Sequence, residues 1–157
     1  MTITELHIQF DLQPENRIDI LKDITKECDE GYLFVDSSNG HCYLFDRNGN
    51  KDDIKKLKTI DVNLFYDSNI ESIIIPDSVE SIKYWAFFNC KSLKSIIIPN
   101  SVKSIEYDAF EWCESLKSIE IPDSVKRIGY YTFRNCENLV SLAFKGKTKI
   151  TYEKLRF

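Results

Sequence analysis

The sequence of 157 residues predicts an α+β N-terminal cap over residues 1–58, followed over residues 59–157 by a short β-rich solenoid of parallel strands, one per coil. Two observations support this fold class. The second half of the chain repeats every 23 residues, whereas the first half does not repeat. The chain also has 20 Ile and only 3 Ala. Because β-branched Ile favours strands and Ala favours helices, a mainly helical protein is disfavoured.

The first part of the N-terminal segment predicts a strand and a helix. Residues 2–10 alternate apolar and polar side chains imperfectly, which favours a strand. Residues 14–27 carry Ile and Leu at helical spacing after Pro14, a residue that suits the first turn of a helix. We therefore expect an amphipathic helix over residues 14–27.

The rest of the N-terminal segment predicts a hairpin. The apolar runs at 32–35 and 42–45 flank an Asn-Gly pair at 39–40, which is typical of a turn between antiparallel strands. A second Asn-Gly pair at 48–49 predicts another turn, and residues 52–58 predict a short helix. Together these elements predict a small module that also covers the open end of the solenoid.

The repeat itself predicts the coil. Full units begin at Ile73, Ile96 and Ile119, and each has a Pro three residues later. Apolar columns alternate with variable residues before that Pro, which indicates a strand with one buried face that ends where the Pro cannot donate a hydrogen bond. A partial unit precedes them, with Leu64 in register with Phe87, and the truncated unit LAFKG follows from Leu142. Since one such coil cannot bury its apolar face alone, the coils must stack.

The recurring run IPxSVxxIxxxAFxxCxxLxxI resembles the BspA-type leucine-rich repeat family over roughly residues 60–146. The resemblance implies a parallel-strand solenoid that binds proteins. Some members of that family are bacterial surface proteins that contact host matrix. No binding residue follows from the resemblance, because the matching positions are those of the core.

The cysteines and histidines predict no catalytic or metal site. Cys90, Cys113 and Cys136 form a column, but the repeats contain no His, and the column lacks the short CxxC spacing of thiolate metal sites. We therefore interpret these cysteines as buried core. His41 and Cys42 are adjacent on a predicted strand and therefore point to opposite faces. The sequence predicts a protein that is not an enzyme and needs no cofactor.

The segment DRNGNKDD at 46–53 resembles a calcium loop only superficially. The EF-hand pattern requires Gly at the sixth position, where this chain has Lys51, and Glu at the twelfth, where it has Leu57. We interpret the segment as a hairpin turn without a metal.

Two groups of variable residues are candidate partner-binding positions. On the outward side of the strands, exposed Ile alternate with charged residues, a mixed surface that suits a protein partner. The second group is aromatic and lies around the AFxxC turn; Trp and Tyr are enriched at binding hot spots. In order, the two groups are Glu71, Ile74, Lys94, Ile97, Lys117 and Glu120, and then Trp85, Phe88, Trp112 and Tyr131. An alternative for Trp85 and Phe88 is packing against the N-terminal module.

Charge and targeting signals limit the classes of partner. The net charge of −4 argues against nucleic acid as a partner. The basic tail from Lys145 is expected to cover the last coil, although it would also suit an acidic partner or nucleic acid. The sequence starts without a basic and apolar leader and has no run of apolar residues long enough for a membrane span. With an odd count of five Cys, these features predict a cytoplasmic protein that is not bound to membrane.

The sequence therefore predicts a non-enzymatic protein–protein interaction module that binds its partner through the strand face and the variable aromatics. Two alternatives remain open. One is a small protein inhibitor of a nuclease or other enzyme, with the acidic residues of the N-terminal segment imitating a phosphate backbone. The other is an exported adhesin-like surface protein.

Overall fold

The computed structural model describes residues 25–146, and their chain begins with a four-stranded antiparallel sheet. Its strands are β1 (Thr25–Cys28), β2 (Gly31–Val35), β3 (Cys42–Phe45) and β4 (Lys51–Asp52), hydrogen-bonded in that order. The predicted hairpin is confirmed: β2 and β3 are antiparallel, with Val35 opposite Cys42. The turn at 48–49 is confirmed as well, since β3 pairs antiparallel with β4.

The predicted helix over residues 14–27 is wrong at its C-terminal end. Residues 25–27 belong to β1, where Thr25 pairs with Phe34 and Cys28 with Gly31. The apolar run Leu33–Val35 in β2 is buried, and β2 pairs with β1 on one side and β3 on the other. This pairing outweighs the helical spacing of apolar residues in the segment that leads into β1. The rest of that predicted helix, and the predicted strand at 2–10, lie outside the described residues.

A single turn of 3-10 helix, Ile54–Lys56, connects the sheet to the solenoid, where the sequence predicts a short helix over residues 52–58. The side chain of Asp53 caps this turn by accepting from the backbone N–H of Lys55 at 3.0 Å. The hydroxyl of Ser78, in the first coil of the solenoid, donates to the carbonyl of Ile54 at 3.0 Å. The connection is therefore held against the coil that follows it.

The solenoid has two parallel strands in each coil. Thr59–Ile60 (β5), Ser81–Ile82 (β7), Ser104–Ile105 (β9) and Arg127–Ile128 (β11) form one parallel sheet of four. The other strands of the coils are β6 (Ser72–Ile74), β8 (Ser95–Ile97), β10 (Ser118–Ile121) and β12 (Ser141–Phe144). We number the coils from the strands of the first sheet: coil 1 is residues 59–80, coil 2 is 81–103, coil 3 is 104–126 and coil 4 is 127–146.

Parallel pairing is confirmed, but the prediction of one strand per coil is wrong. The apolar column that contains Ile82 and Ile105, just past the Pro of each repeat, forms a second ladder with Ser81 opposite Ser104. Each strand of that ladder is only two residues long, so no alternation of apolar and polar residues marks it in the sequence.

The core of the solenoid is a column of stacked phenylalanines. Phe87 stacks on Phe65 and on Phe110, with ring centroids 5.0 and 5.2 Å apart, and Phe110 stacks on Phe133 at 5.8 Å. The predicted register of Leu64 with Phe87 is therefore wrong by one residue, because Phe65 is the partner. Between this ring and the strand that follows it, coil 1 is one residue shorter than coil 2. Ser68 occupies the position in coil 1 that Cys90 has in coil 2.

The cysteine column lies in the same core, as the sequence predicts. The Sγ atoms of Cys90, Cys113 and Cys136 donate to main-chain carbonyls of the preceding coil at 2.9, 3.3 and 3.1 Å. All five cysteines of the chain are free thiols. Burial raises the pKa of the Cys90 thiol from its ordinary value of 9.0 to about 12. These thiols pack as small apolar side chains.

The loop between β2 and β3 contacts strand β6 of the solenoid. The carbonyl of Gly40 accepts from the backbone N–H of Ile74 at 2.7 Å, and the Sγ of Cys42 donates to the carbonyl of Ile74 at 3.5 Å. Gly40 has φ +77, and a Cβ on it would lie 3.3 Å from the Cα of Ile73, so both conformation and space favour Gly there. The antiparallel sheet thus lies against coil 1.

Candidate protein-binding surfaces

The outward strand face of the solenoid is split between coils 2 and 3. Strand β8 pairs with β6, and β10 pairs with β12, but β8 and β10 do not pair with each other. The ladder β5–β7–β9–β11 is continuous across the same two coils. The coils are therefore in register on one side and separated on the other. Each of β8 and β10 presents an unpaired edge to the gap.

A groove of about 550 Å³ opens along this split, and we call it the strand-face groove. Its base contains Ile96 and Ile98, which are 7% and 8% exposed, whereas the equivalent Ile73 and Ile75 in coil 1 are each 1% exposed. Ile97 lies on its wall and is 55% exposed. The groove therefore combines an apolar base with a projecting apolar side chain.

Charged side chains surround the groove. Lys94 pairs with Glu71 at 2.9 Å, and Lys145 pairs with Glu120. Lys117 does not line the groove, and it makes no ion pair with any residue between 25 and 146. Because both pairs are largely exposed, each stabilises the fold by about 1 kcal/mol or less. The lysines can therefore exchange these partners for carboxylates of another protein at little expense.

The structure separates the predicted strand-face residues into two sets. Lys94, Ile97 and Glu120 line the groove. Glu71 lies beside it as the ion-pair partner of Lys94. Ile74 is not an exposed apolar residue as the sequence predicts, because the loop around Gly40 lies against its backbone and leaves it half-buried.

A second surface follows from the backbone of the turns. Eight residues other than Gly have positive φ, two in each coil at equivalent positions. Five of them are Asn or Asp, which tolerate this left-handed conformation because their short side chains bond to nearby backbone. The other three are predicted aromatics: Trp85 (φ 58), Trp112 (φ 63) and Tyr131 (φ 59).

Two of the four predicted aromatics contact each other. Trp85 packs edge-on against Phe88, with centroids 6.4 Å apart, and Phe88 stacks on Tyr66 at 5.1 Å. Trp85 also contacts Tyr84, which stacks on Tyr107 at 5.0 Å. These ring contacts lie within the coils and not with the N-terminal sheet. Because coil 1 is one residue shorter, a fixed repeat spacing of 23 residues does not align Tyr66 with Phe88.

Trp112 and Tyr131 lie near a buried carboxylate. The Glu111 side chain is 8% exposed, and its Oε1 lies 3.3 Å from the Nε of Arg134. Burial, together with the nearby Asp108, raises the pKa of Glu111. The guanidinium of Arg134 also lies over the ring of Tyr131, 5.1 Å from its centroid. This network of charges and rings was not evident from the sequence, because its members come from different coils.

The segments considered for catalysis and for calcium binding make contacts within the fold. Burial raises the pKa of Cys42 to about 12, so its thiol is protonated at neutral pH. Across residues 25–146, no group of three or more His, Cys, Asp or Glu side chains could hold a metal. Asp46, in the loop considered for calcium, instead accepts from the backbone N–H groups of Asn48 and Asn50 at 2.9 Å each. The same part of the chain contains no helix that could cross a membrane.

Comparisons with known proteins agree with this architecture. A leucine-rich repeat protein from Bacteroides capillosus is 24% identical, with a TM-score of 0.56 over 78% of this chain and 99% of that one. Another from Eubacterium ventriosum is 24% identical, with a TM-score of 0.54 over 73% of this chain and 27% of that one. Likeness at this identity shows the fold alone. No curated protein matches the sequence.

The repeat pattern is more specific than the overall likeness. The BspA-type leucine-rich repeat region matches residues 58–155 in 6 copies, which is more than half of the chain. Repeats of this kind indicate a protein-interaction or surface-type module and are typically non-enzymatic. The chain belongs to the BspA-type leucine-rich repeat family.

Proposed function

We propose that this protein is a non-enzymatic interaction module that binds an extended segment of a protein partner in the strand-face groove. The observation that carries the proposal is the break in pairing between β8 and β10. Cα atoms of β8 and β10 lie within 8 Å of each other, which leaves no room for a third strand between them. A partner segment that lies along the groove can instead bond to the unpaired N–H and C=O groups of either edge. The exposed Ile97 adds apolar contact at that edge.

Charge around the groove supports a partner segment that carries carboxylates. Lys94 and Lys145 line the groove and are held only by exposed ion pairs. Opposite charges across an interface steer association and fix register. No specific observation favours the inhibitor or the adhesin, so we propose neither.

The substitution Ile97→Glu tests the proposal while preserving the coil. Glu120 occupies the equivalent position of coil 3, so a Glu is compatible with this strand. The matched control is Val140→Glu, because Val140 is 87% exposed, does not line the groove, and has Glu71 at the equivalent position of coil 1. Both variants should change the unfolding free energy by about 0.5 kcal/mol or less.

The experiment has two stages. Proteins captured from an extract of the source organism are first identified by mass spectrometry, and the binding of each purified candidate is then measured by calorimetry. Ile97→Glu should weaken binding by at least about tenfold, whereas Val140→Glu should leave it unchanged. Equal weakening by both substitutions, or by neither, would contradict the proposed site.

A further inference from the structure

Three large aromatic residues occupy turn positions whose backbone favours a different type of side chain. Trp85, Trp112 and Tyr131 have φ between 58 and 63, whereas the other five left-handed positions carry Asn or Asp. A bulky ring gains nothing from this conformation. Trp85 is 39% exposed, and Trp112 and Tyr131 are partly buried, so each of the three rings keeps part of its surface accessible. Their role is therefore sought at the surface.

Two of these aromatic residues occupy the same turn position as an Asp, in the coils on either side of it. Asp108 has the left-handed position of coil 3, between Trp85 at that position in coil 2 and Tyr131 in coil 4. The indole Nε1 of Trp85 donates to Oδ2 of Asp108 at 3.3 Å. On the other side, the backbone N–H of Asp108 donates to the carbonyl of Tyr130 at 3.0 Å, which holds coil 4 beside it. The chain thus presents ring, carboxylate and ring on consecutive coils.

The charge at this place is not balanced. Glu111 is paired with Arg134, but Asp108 makes no ion pair with any residue that the structure describes. Asp108 and Glu111 also interact with each other, and together with burial this raises the pKa of Glu111, so two acidic groups share the single cation Arg134. Arg134 also shows which cation suits such surroundings, because its guanidinium lies 5.1 Å from the centroid of Tyr131 while its Nε lies 3.3 Å from Glu111.

We propose that Trp85, Asp108 and Tyr131 bind a guanidinium group, the side chain of an arginine on a basic segment of a partner protein. Aromatic faces attract cations, and the planar guanidinium both stacks on rings and donates N–H bonds in a fixed fork. The carboxylate of Asp108 accepts those bonds between the two rings. This arginine site lies apart from the strand-face groove, and each can be correct without the other.

The test uses the whole chain labelled with ¹⁵N and an acetylated peptide of alternating Gly and Arg. The indole N–H signal of Trp85 should shift and saturate as the peptide is added, since that group bonds to Asp108. Asp108→Asn should lower the affinity by about tenfold or more, because a charge-assisted bond is lost. The variant should fold, since Asn63 has the equivalent left-handed position in coil 1.

The matched control is Asp67→Asn, which removes the same charge from the other left-handed position of coil 1. It should leave the affinity for the arginine peptide unchanged. Equal weakening by Asp67→Asn would mean that the peptide senses only net charge, and the absence of a saturable shift would mean that there is no site; either result overturns the proposal. A peptide of alternating Gly and Lys should bind more weakly, and equal affinity would contradict a guanidinium site. Ile97→Glu should bind the arginine peptide as the unmodified chain does, which separates this result from the test of the groove.

Discussion

The rings of Phe87 and Phe110 lie parallel within 9°, with centroids 5.2 Å apart, and both are fully buried. This separation is close to the spacing of adjacent strands, so the stacked rings follow the rise of the solenoid from one coil to the next. Each of these two rings therefore packs against the rings of both neighbouring coils. Stability in such a stack depends on the interfaces between neighbouring coils.

Replacing Phe110 tests the importance of these interfaces. Phe110→Ala removes a ring that stacks on both Phe87 and Phe133, and it should lower the unfolding free energy by about 3–5 kcal/mol. Urea denaturation followed by circular dichroism measures this loss. Phe88→Ala serves as a control, because Phe88 is only half-buried, and it should cost less than half as much. Equal losses in the two variants would mean that the column of rings does not hold the coils together.

The left-handed turns predict an unusual order of substitutions at Asn89, which has φ 58. Both Asn89→Gly and Asn89→Val remove its hydrogen bond to Asp67, at 2.6 Å, so their difference isolates the backbone conformation. Gly adopts positive φ freely, whereas a β-branched residue does not. Asn89→Val should therefore be less stable than Asn89→Gly by about 1–2 kcal/mol in urea denaturation. If the valine variant were as stable as the glycine variant, the turn would not have this conformation in solution.

The buried thiols predict a loss of stability at alkaline pH. The pKa of Cys90 is about 12 in the folded chain, against an ordinary value of 9.0. Above pH 9 the unfolded chain loses the thiol proton while the folded chain keeps it, so the unfolding free energy falls as pH rises toward 12. The slope from this one thiol is at most about 1.4 kcal/mol per pH unit.

Urea denaturation between pH 8 and pH 10.5 measures that slope. Cys90→Ala removes the titrating group, so the variant should lose less stability over the same range than the unmodified chain. Tyr and Lys also titrate there, and the comparison of the two proteins subtracts their effect. Parallel pH profiles would contradict burial of Cys90 as a neutral thiol.

The repeat shows how far a sequence of this kind predicts its structure. The columns through Ile73, Ile96 and Ile119 predict a parallel ladder, and pairs such as Ile73 opposite Ile96 confirm it. The same columns cannot predict the strand-face groove, since coils 2 and 3 carry the same apolar residues on either side of the unpaired edge. The groove depends on how the coils tilt against each other, which is a property of the whole stack.

The candidate surfaces could be predicted in part from the sequence. Variable columns identify Ile97 and Trp85, which the structure places on exposed surface. The conformation of the turns was also within reach: Asn and Asp recur at Asn63, Asn89 and Asn135 and at Asp67 and Asp108, and this is typical of left-handed backbone. The hydrogen bond between Trp85 and Asp108 joins residues 23 positions apart. It could not be predicted without knowing how the coils stack.

A photo-crosslinking residue placed at position 97 tests the proposed binding surface most directly. Ile97 lies on the wall of the strand-face groove, whereas Lys126 is exposed and does not line it. Benzoyl-phenylalanine at each position, irradiated in an extract of the source organism, reports which surface a partner touches. We predict one discrete adduct at position 97 that is absent at position 126 and lost when Ser118, across the groove, is replaced by Arg. An adduct at position 126 and none at position 97 would contradict the account.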